Sequence, residues 1–473
     1  MRIALNSGAY SARSLIADAQ RQVNLYSETN PEGSESPATL YPTPGLTLVS
    51  TPPVAGECRA IYTASNGRRY DVVGNTVYYV NNAVYTKIGT LPSNSGPVSI
   101  ADNTFNAFIV DGSLSGYIID ITQNVMTQCT DPSFYGADRV DYVDGYFVFN
   151  KPGTQQFYIS NYASTTFNSL DIASKSTAPD NLVSLAVMHR EIWLFGDKTT
   201  EVWYNTGAAD FTFGRMPGVF IEHGCAAKNS VAKIDLALFW LSKDLQGQGL
   251  VFAGRNYTAE RISTHALENE IATYSRIDDA IGFSYLQAGH AFYCLNFPTA
   301  NRTWCYDVAS GQWHQRAYLE IDGSLSRHRM NCCTFNNGQN LIGDWQNGNV
   351  YALDPNAYTD NGNPIIRIRS FPHINGSDGN RIMFRQFIAD MEVGNGLPGD
   401  TAQPEIRLRW SNDRGASWGN SVTGTLGKVG QFLTSIQFQR LGYARDRVFE
   451  LSWAGNVKTA LNGAWVDIQR SRT

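Results

Sequence analysis

A strand–turn–strand unit recurs from about Arg59 to Tyr358, and no other feature narrows the fold so far. "YDVVGNTVYYVNNAVYTKIG", "NAFIVDGSLSGYIIDITQNVMTQC", "DYVDGYFVFNKPGTQQFYISNY" and "SLAVMHREIWLFGDKTTEVWYNTG" each alternate apolar and polar residues on both sides of a short turn. Three more stretches, beginning at Asp235, Phe283 and Asn331, continue the pattern. Period-two alternation buries one face of each strand. With Tyr78, Ile109, Phe147, Trp193, Phe239, Phe292 and Leu341 as equivalent points, the spacings are 31, 38, 46, 46, 53 and 49 residues. Periods of about 40–50 residues, each spanning four short strands, are the signature of propeller blades. The spacing is uneven and no residue repeats strictly. The expectation is therefore a mainly β chain whose residues 51–360 form a β-propeller of six or seven blade-like units.

The flanks read differently. Residues 1–50 show no sustained periodicity, and Pro31, Pro37, Pro42 and Pro44 hold them extended. Such an arm needs a surface to lie on, either its own domain or a neighbouring subunit. After Asn361, "PIIRIRSF", "RQFIADMEVG", "EIRLRWS" and "RVFELSW" alternate strictly, which predicts an antiparallel β-sandwich over residues 361–473. Alternation buries Ile406, Leu408 and Trp410 and turns Arg407 and Arg409 outward. Arg367 and Arg369 read as the same kind of solvated face. One helix interrupts the propeller: Leu267, Ile271, Tyr274, Ile277 and Ile281 step by three or four, predicting a helical insertion over about 264–281. Ser263 or Thr264 would cap it, with Glu268 and Glu270 near the positive end of its dipole.

Charge is divided along the chain. From Ile365 onward, 12 Arg and 2 Lys face 9 acids, a balance of +5, whereas the first 364 residues carry −10. An acidic body with a basic tail argues against a protein that grips nucleic acid along its whole length. The seven cysteines, Cys58, Cys129, Cys225, Cys294, Cys305, Cys332 and Cys333, are odd in number and include no C-x-x-C pair. They read as free thiols of a protein made in a reducing cytoplasm. With no charged stretch followed by an apolar core near Met1, no secretory leader is expected, and the longest apolar run, Leu236 to Leu241, is far too short to span a membrane.

One chemical motif stands out. Ser411, Asp413, Gly415 and Trp418 spell S-x-D-x-G-x-S-W, the Asp-box hairpin repeated around sialidase propellers. A sialidase needs several boxes, an arginine cluster and a nucleophile with its acid partner. Here one box lies outside the repeats, so it reads as a structural turn: Gly415 allows positive φ and Asp413 accepts backbone N–H groups. "GSLSG" at 112–116 fails as a nucleophile elbow because its centre is Leu114. The histidines His189, His223, His265, His290, His314, His328 and His373 include neither H-x-H nor H-E-x-x-H, so no metal is expected. "RHR" at 327–329 reads as an exposed loop, and the carboxylates Glu268, Glu270, Asp278 and Asp279 as a solvated helix face. No cofactor and no catalytic residue is expected.

Four segments taken in order carry a family resemblance: "QRQVNLYSETNPEGSESPATLYPTPGL" (20–46 region), "RISTHALENEIATYSRIDDAIGFSYLQAGHAFYCLNFPTANRTWCYDVASGQWHQRA" (261–317), the Asp-box segment, and "RLGYARDRVFELSWAGNVKTALNGAWVDI" (440–468). Together they resemble the packaged-DNA stabilisation proteins of short-tailed bacteriophages (podoviruses), the tail hub or nozzle. Ser27 stands where that pattern more often has proline. The resemblance implies a structural virion protein that assembles as a homohexameric tube below the portal–adaptor complex, retains packaged DNA and conducts it during genome ejection. The partners it implies are the adaptor ring, tailspike or fibre, tail needle, and double-stranded DNA passing without sequence recognition. It implies synthesis in the host bacterial cytoplasm. The competing reading, from the Asp-box and the abundant Trp and Tyr, is a tail-associated glycan-binding or glycan-cleaving propeller.

Overall fold

Seven four-stranded antiparallel units occupy the repeat region, five as separate sheets and two continued into larger ones. Six of them, over 58–90, 99–128, 140–174, 182–215, 232–261 and 281–319, run as meanders in chain order. First strands of the blades pack side by side around a small axial cavity. Turns that lack glycine still supply the required twist: Asn82 and Ala83, His189 and Arg190, and Asn256 and Tyr257 are consecutive positive-φ pairs, the geometry that two-residue hairpin turns demand. The computed structural model describes residues 1–5, 8, 11–15, 17–376, 380–395 and 403–470. Parts of the predicted arm (6, 7, 9, 10 and 16) and of the predicted sandwich (377–379, 396–402 and 471–473) lie outside these described residues.

The seventh blade has only three strands of its own, over 330–354, and takes its fourth, Gly45–Ser50, from the arm. Leu46 pairs with Leu353 and Gly45 with Asp354. Leu46 is buried, worth about 1.5–3 kcal/mol for a side chain of that size. Gly45 is required by sterics: a Cβ there would strike the carbonyl oxygens of Ala357 and Thr359.

The C-terminal strands form two sheets around a core that includes Phe384, Phe387, Ile406, Leu408, Phe449 and Leu451. Both sheets contain arm. In one, the hairpin of Leu25–Thr29 and Ala38–Pro42 joins Leu461–Arg470, which also receives Arg2–Ile3. In the other, Arg21–Val23 leads a row of Arg367–Ser370, Asp446–Trp453, Glu405–Ser411 and Val422–Thr425. Arg21–Val23 also pairs in parallel with blade six, Val23 opposite Gln315, so propeller and sandwich share one continuous sheet. The arm thus lies on its own chain.

Three expectations need correction. Arg367 and Arg369 are fully buried, because arm and linker cover their face of the sheet. Arg369 donates to the carbonyl of Leu5 and to Gln20 Oε1, each at 2.8 Å, and Arg367 to the carbonyls of Gly455 (3.1 Å) and Tyr358 (3.2 Å). The helix covers only His265–Ile271; Tyr274 and Ile277 reach the same core from irregular chain. Within it Glu268 is buried, accepting hydrogen bonds from Ser263 and Arg261 at 2.6 Å each. Finally, Cys294 and Cys305 are not free thiols. They face each other on paired strands with Cα atoms 4.2 Å apart and are joined as a disulfide.

Candidate functional site

The Asp-box closes the loop after the strand Glu405–Ser411. Ser411 Oγ donates to Asp413 Oδ1 at 2.6 Å and accepts from the Gly415 N–H at 2.7 Å. The Ser417 N–H donates to Asp413 Oδ1 at 2.9 Å. These hydroxyl and amide donors hold the exposed Asp413 carboxyl down at about 2. Gly415 adopts φ +96°, and a Cβ there would come 2.7 Å from Ala19 Cβ, so the hairpin tip abuts the arm. Trp418 is half-buried, with the Arg409 guanidinium 4.8 Å from its ring centroid. The box therefore brings Ser411, Asp413 and Gly415 together and sets Trp418 beside Arg409, its polar groups engaged with its own loop.

Around the propeller axis the cavity measures about 280 Å³ and is lined by Arg59, Tyr62, Ser99, Arg139, Asp141 and Asn331 among others. Arg59 donates to the carbonyls of Gly74 and Ser93 at 3.0 and 2.8 Å. Asp141 accepts from the N–H groups of Val187 (2.7 Å) and Tyr142 (2.8 Å), while burial pushes its carboxyl upward. Arg59 thus fastens its own blade and the chain that follows it, and Asp141 reaches across to Val187 of the next blade.

The "RHR" segment is not an exposed loop. Arg327, His328 and Arg329 are all buried. Arg327 lies 4.1 Å from the Trp345 ring centroid and Arg329 3.9 Å from that of Tyr318, which places both guanidiniums on aromatic faces. Burial, then Arg316 3.0 Å away, lowers His328 to about 4. Burial likewise lowers His314 to about 3. Of the carboxylates read as a solvated face, Asp278 does stay exposed beside Arg276 (2.6 Å), whereas Glu268 is buried. Among the described residues, no three His, Cys, Asp or Glu side chains converge as a metal site.

Sequence reasoning missed the residues that join the two domains. Asn24 is the clearest: at φ 53° it turns the chain from one sheet into the other, a conformation Asn tolerates better than most residues. Its position in "QVNLY" gave no sign of this. The cleft that opens beside the join, lined by Arg21 and Arg302 among others, was equally hidden.

A family model described as the β-propeller of bacteriophage P22 Gp10 matches residues 1–358. A second, described as the β-sandwich of bacteriophage P22 Gp10, matches residues 372–469. No curated protein matches the chain. Among solved structures, the WD40 β-propeller domain of Doa1 is similar at 10% identity, covering 65% of this chain and 97% of that one with a TM-score of 0.42. BamB from Moraxella catarrhalis is similar at 9% identity, covering 71% and 98% with a TM-score of 0.41. The propeller match starts at residue 1, where the arm that closes the last blade begins, and the sandwich match follows in chain order. With both parts matched in sequence, the chain belongs to the bacteriophage P22 Gp10 family.

Proposed function

We propose that this chain is a structural subunit of a phage tail hub, assembling with copies of itself into a hexameric tube that holds packaged DNA and conducts it during ejection. The observation that carries this reading is the pair of family matches, over residues 1–358 and 372–469. In this reading the virion is its place of action, the adaptor ring beneath the portal is its upper neighbour, and tailspike or fibre and tail needle attach around it. The arm (1–50), propeller (51–360) and sandwich (361–473) are its working parts, and the Asp-box is a turn that holds the sandwich tip against the arm.

The propeller axis supports a passage between subunits. Its cavity of about 280 Å³ holds on the order of ten waters. A duplex whose major groove alone is about 12 Å wide does not fit there. Any conduit for DNA therefore has to be enclosed by several copies. The balance of −10 over the first 364 residues suits a lining that repels phosphates and lets the duplex slide.

Negative-stain imaging of the purified chain at high concentration, with and without the adaptor, is the test. Sixfold rings with a central hole in either sample are the expected result. Single particles in both would overturn the tube. Lysine substitutions at acids facing the hole should then slow ejection, and unchanged rates would sink the sliding argument.

A further inference from the structure

Between blade six and the sandwich lies an open cleft of about 990 Å³. One wall is the outer face of the shared sheet. In cross-strand register, Arg21, Ser370, Glu450 and Arg409 form one row across it. Val23, Ile368, Ser452 and Arg407 form the next. The opposite wall belongs to the propeller and carries Arg302 with the half-buried Leu319 and Leu325. Four guanidiniums from the arm, the propeller and the sandwich thus meet around an apolar strip.

We propose that this cleft is a docking site for an extended acidic segment of a partner polypeptide, with carboxylates alternating with apolar side chains. Arg407 and Arg409 are two residues apart on one strand, so they repeat at about 6.6–6.8 Å, the spacing of same-face side chains in any extended chain. A peptide laid along that strand points every second side chain at the arginines and the intervening ones at Leu319 and Leu325. Guanidinium forks suit carboxylates, which they grip through two parallel hydrogen bonds.

Acids already present shape the site without filling it. Glu450 is buried and bonds Arg409 (Nε to Oε1, 2.7 Å) and Ser370, so at Arg409 an incoming carboxylate shares the guanidinium with Glu450. Glu405 pairs with Arg407 at 3.3 Å, but both side chains are 59% exposed, and a pair so open to water exchanges readily. Among the described residues, the Arg302 guanidinium hydrogen-bonds only to the adjacent Asn301 carbonyl, at 3.1 Å. Charge complementarity therefore calls for an anion, and the apolar strip calls for side chains that a sugar–phosphate backbone lacks. The site goes beyond the tail-hub reading and stands on the cleft alone.

The test is fluorescence anisotropy of the full chain with a labelled octapeptide alternating glutamate and leucine. A peptide with lysine in place of glutamate and an unlabelled short DNA duplex serve as probes of charge sign and of backbone chemistry. Expected are saturable binding of the acidic peptide, weakening by about tenfold in Arg302→Glu and in Arg407→Glu, and loss with added salt. If a charge reversal lowers the melting temperature, Arg407→Gln replaces it. No binding, binding indifferent to the substitutions, equal binding of the lysine peptide, or full displacement by the duplex would each overturn the proposal.

Discussion

Asn24 and Ala317 exchange a pair of hydrogen bonds. Asn24 Nδ2 donates to the Ala317 carbonyl and the Ala317 N–H donates back to Asn24 Oδ1, both at 2.9 Å. The same Nδ2 also donates to the Ile366 carbonyl at 2.8 Å. One buried side chain of the arm therefore fastens the propeller to the chain leading into the strand Arg367–Ser370. Asn24→Ala leaves two buried backbone groups of Ala317 and the carbonyl of the half-buried Ile366 without that partner, and we expect a loss of about 2–5 kcal/mol, as each orphaned buried group costs about 1–3 kcal/mol and some rearrange. Urea denaturation checks it. A change below 1 kcal/mol, roughly the worth of one exposed contact, would mean the clasp is incidental.

Closure of the seventh blade gives a second prediction. Gly45→Val forces a side chain into the carbonyls of Ala357 and Thr359 and displaces the strand Gly45–Ser50. The expected cost is about 1–3 kcal/mol from overpacking. Losing that strand would also bare the edge of Val350–Asp354, so aggregation should rise on heating. Light scattering during a thermal ramp reads both effects.

Acid should destabilise the protein through two histidines. His314 and His328, lowered to about 3 and about 4, stay neutral in the fold well below the ordinary value of 6.5. The unfolded chain takes up their protons first, so their contribution is complete above pH 6.5 and falls as pH drops from there toward 4. Each removes about 1.4 kcal/mol per pH unit over that window. His314 Nε2 has no hydrogen-bond partner among the described residues, so His314→Phe should roughly halve the slope of melting temperature against pH. An unchanged slope would assign the acid sensitivity to other groups.

Asp413→Ala should loosen the Asp-box without touching the core. Asp413 is solvent-exposed, so the effect is local: faster amide hydrogen exchange at Ser417, whose N–H donates to that carboxylate. In the wild type the carboxyl sits at about 2, below its ordinary 3.8, so its contribution is present above that ordinary value and disappears as pH falls through about 2. Exchange at Ser417 that matches the wild type would show that the backbone holds the turn unaided.

Local chemistry was legible in the sequence; long-range cover was not. Period-two alternation located the strands of "NAFIV", "EIWLF" and "EIRLRWS" and put Ile406 and Leu408 inside and Arg407 outside, as the structure has them. The same alternation gave Arg367 and Arg369 one common face, but it could not say that arm residues some 350 positions earlier lie on it. The helix was overextended because Tyr274 and Ile277 keep an apolar three-to-four step while leaving helical backbone. "RHR" looked like a loop because nothing local reveals that Trp345 and Tyr318 receive its arginines. The Asp-box keeps its donors and acceptors within a few residues of one another. Asn24 could not be read, since its partners are at Ala317 and Ile366.

The stitching of Arg21–Val23 between Gln315 and the strand Arg367–Ser370 also sets a clock. A ribosome adding about 5–20 residues each second delivers those partners roughly 15–70 s after the arm has emerged. Until then Val23, Leu25 and Leu40 have nowhere native to go, and the last blade lacks nothing but a strand that was made first. Such distant pairing is slow to form and exposes edges while it waits. Expression at reduced temperature or with chaperones in excess should therefore raise the yield of this protein more than that of a propeller whose closing strand is made last.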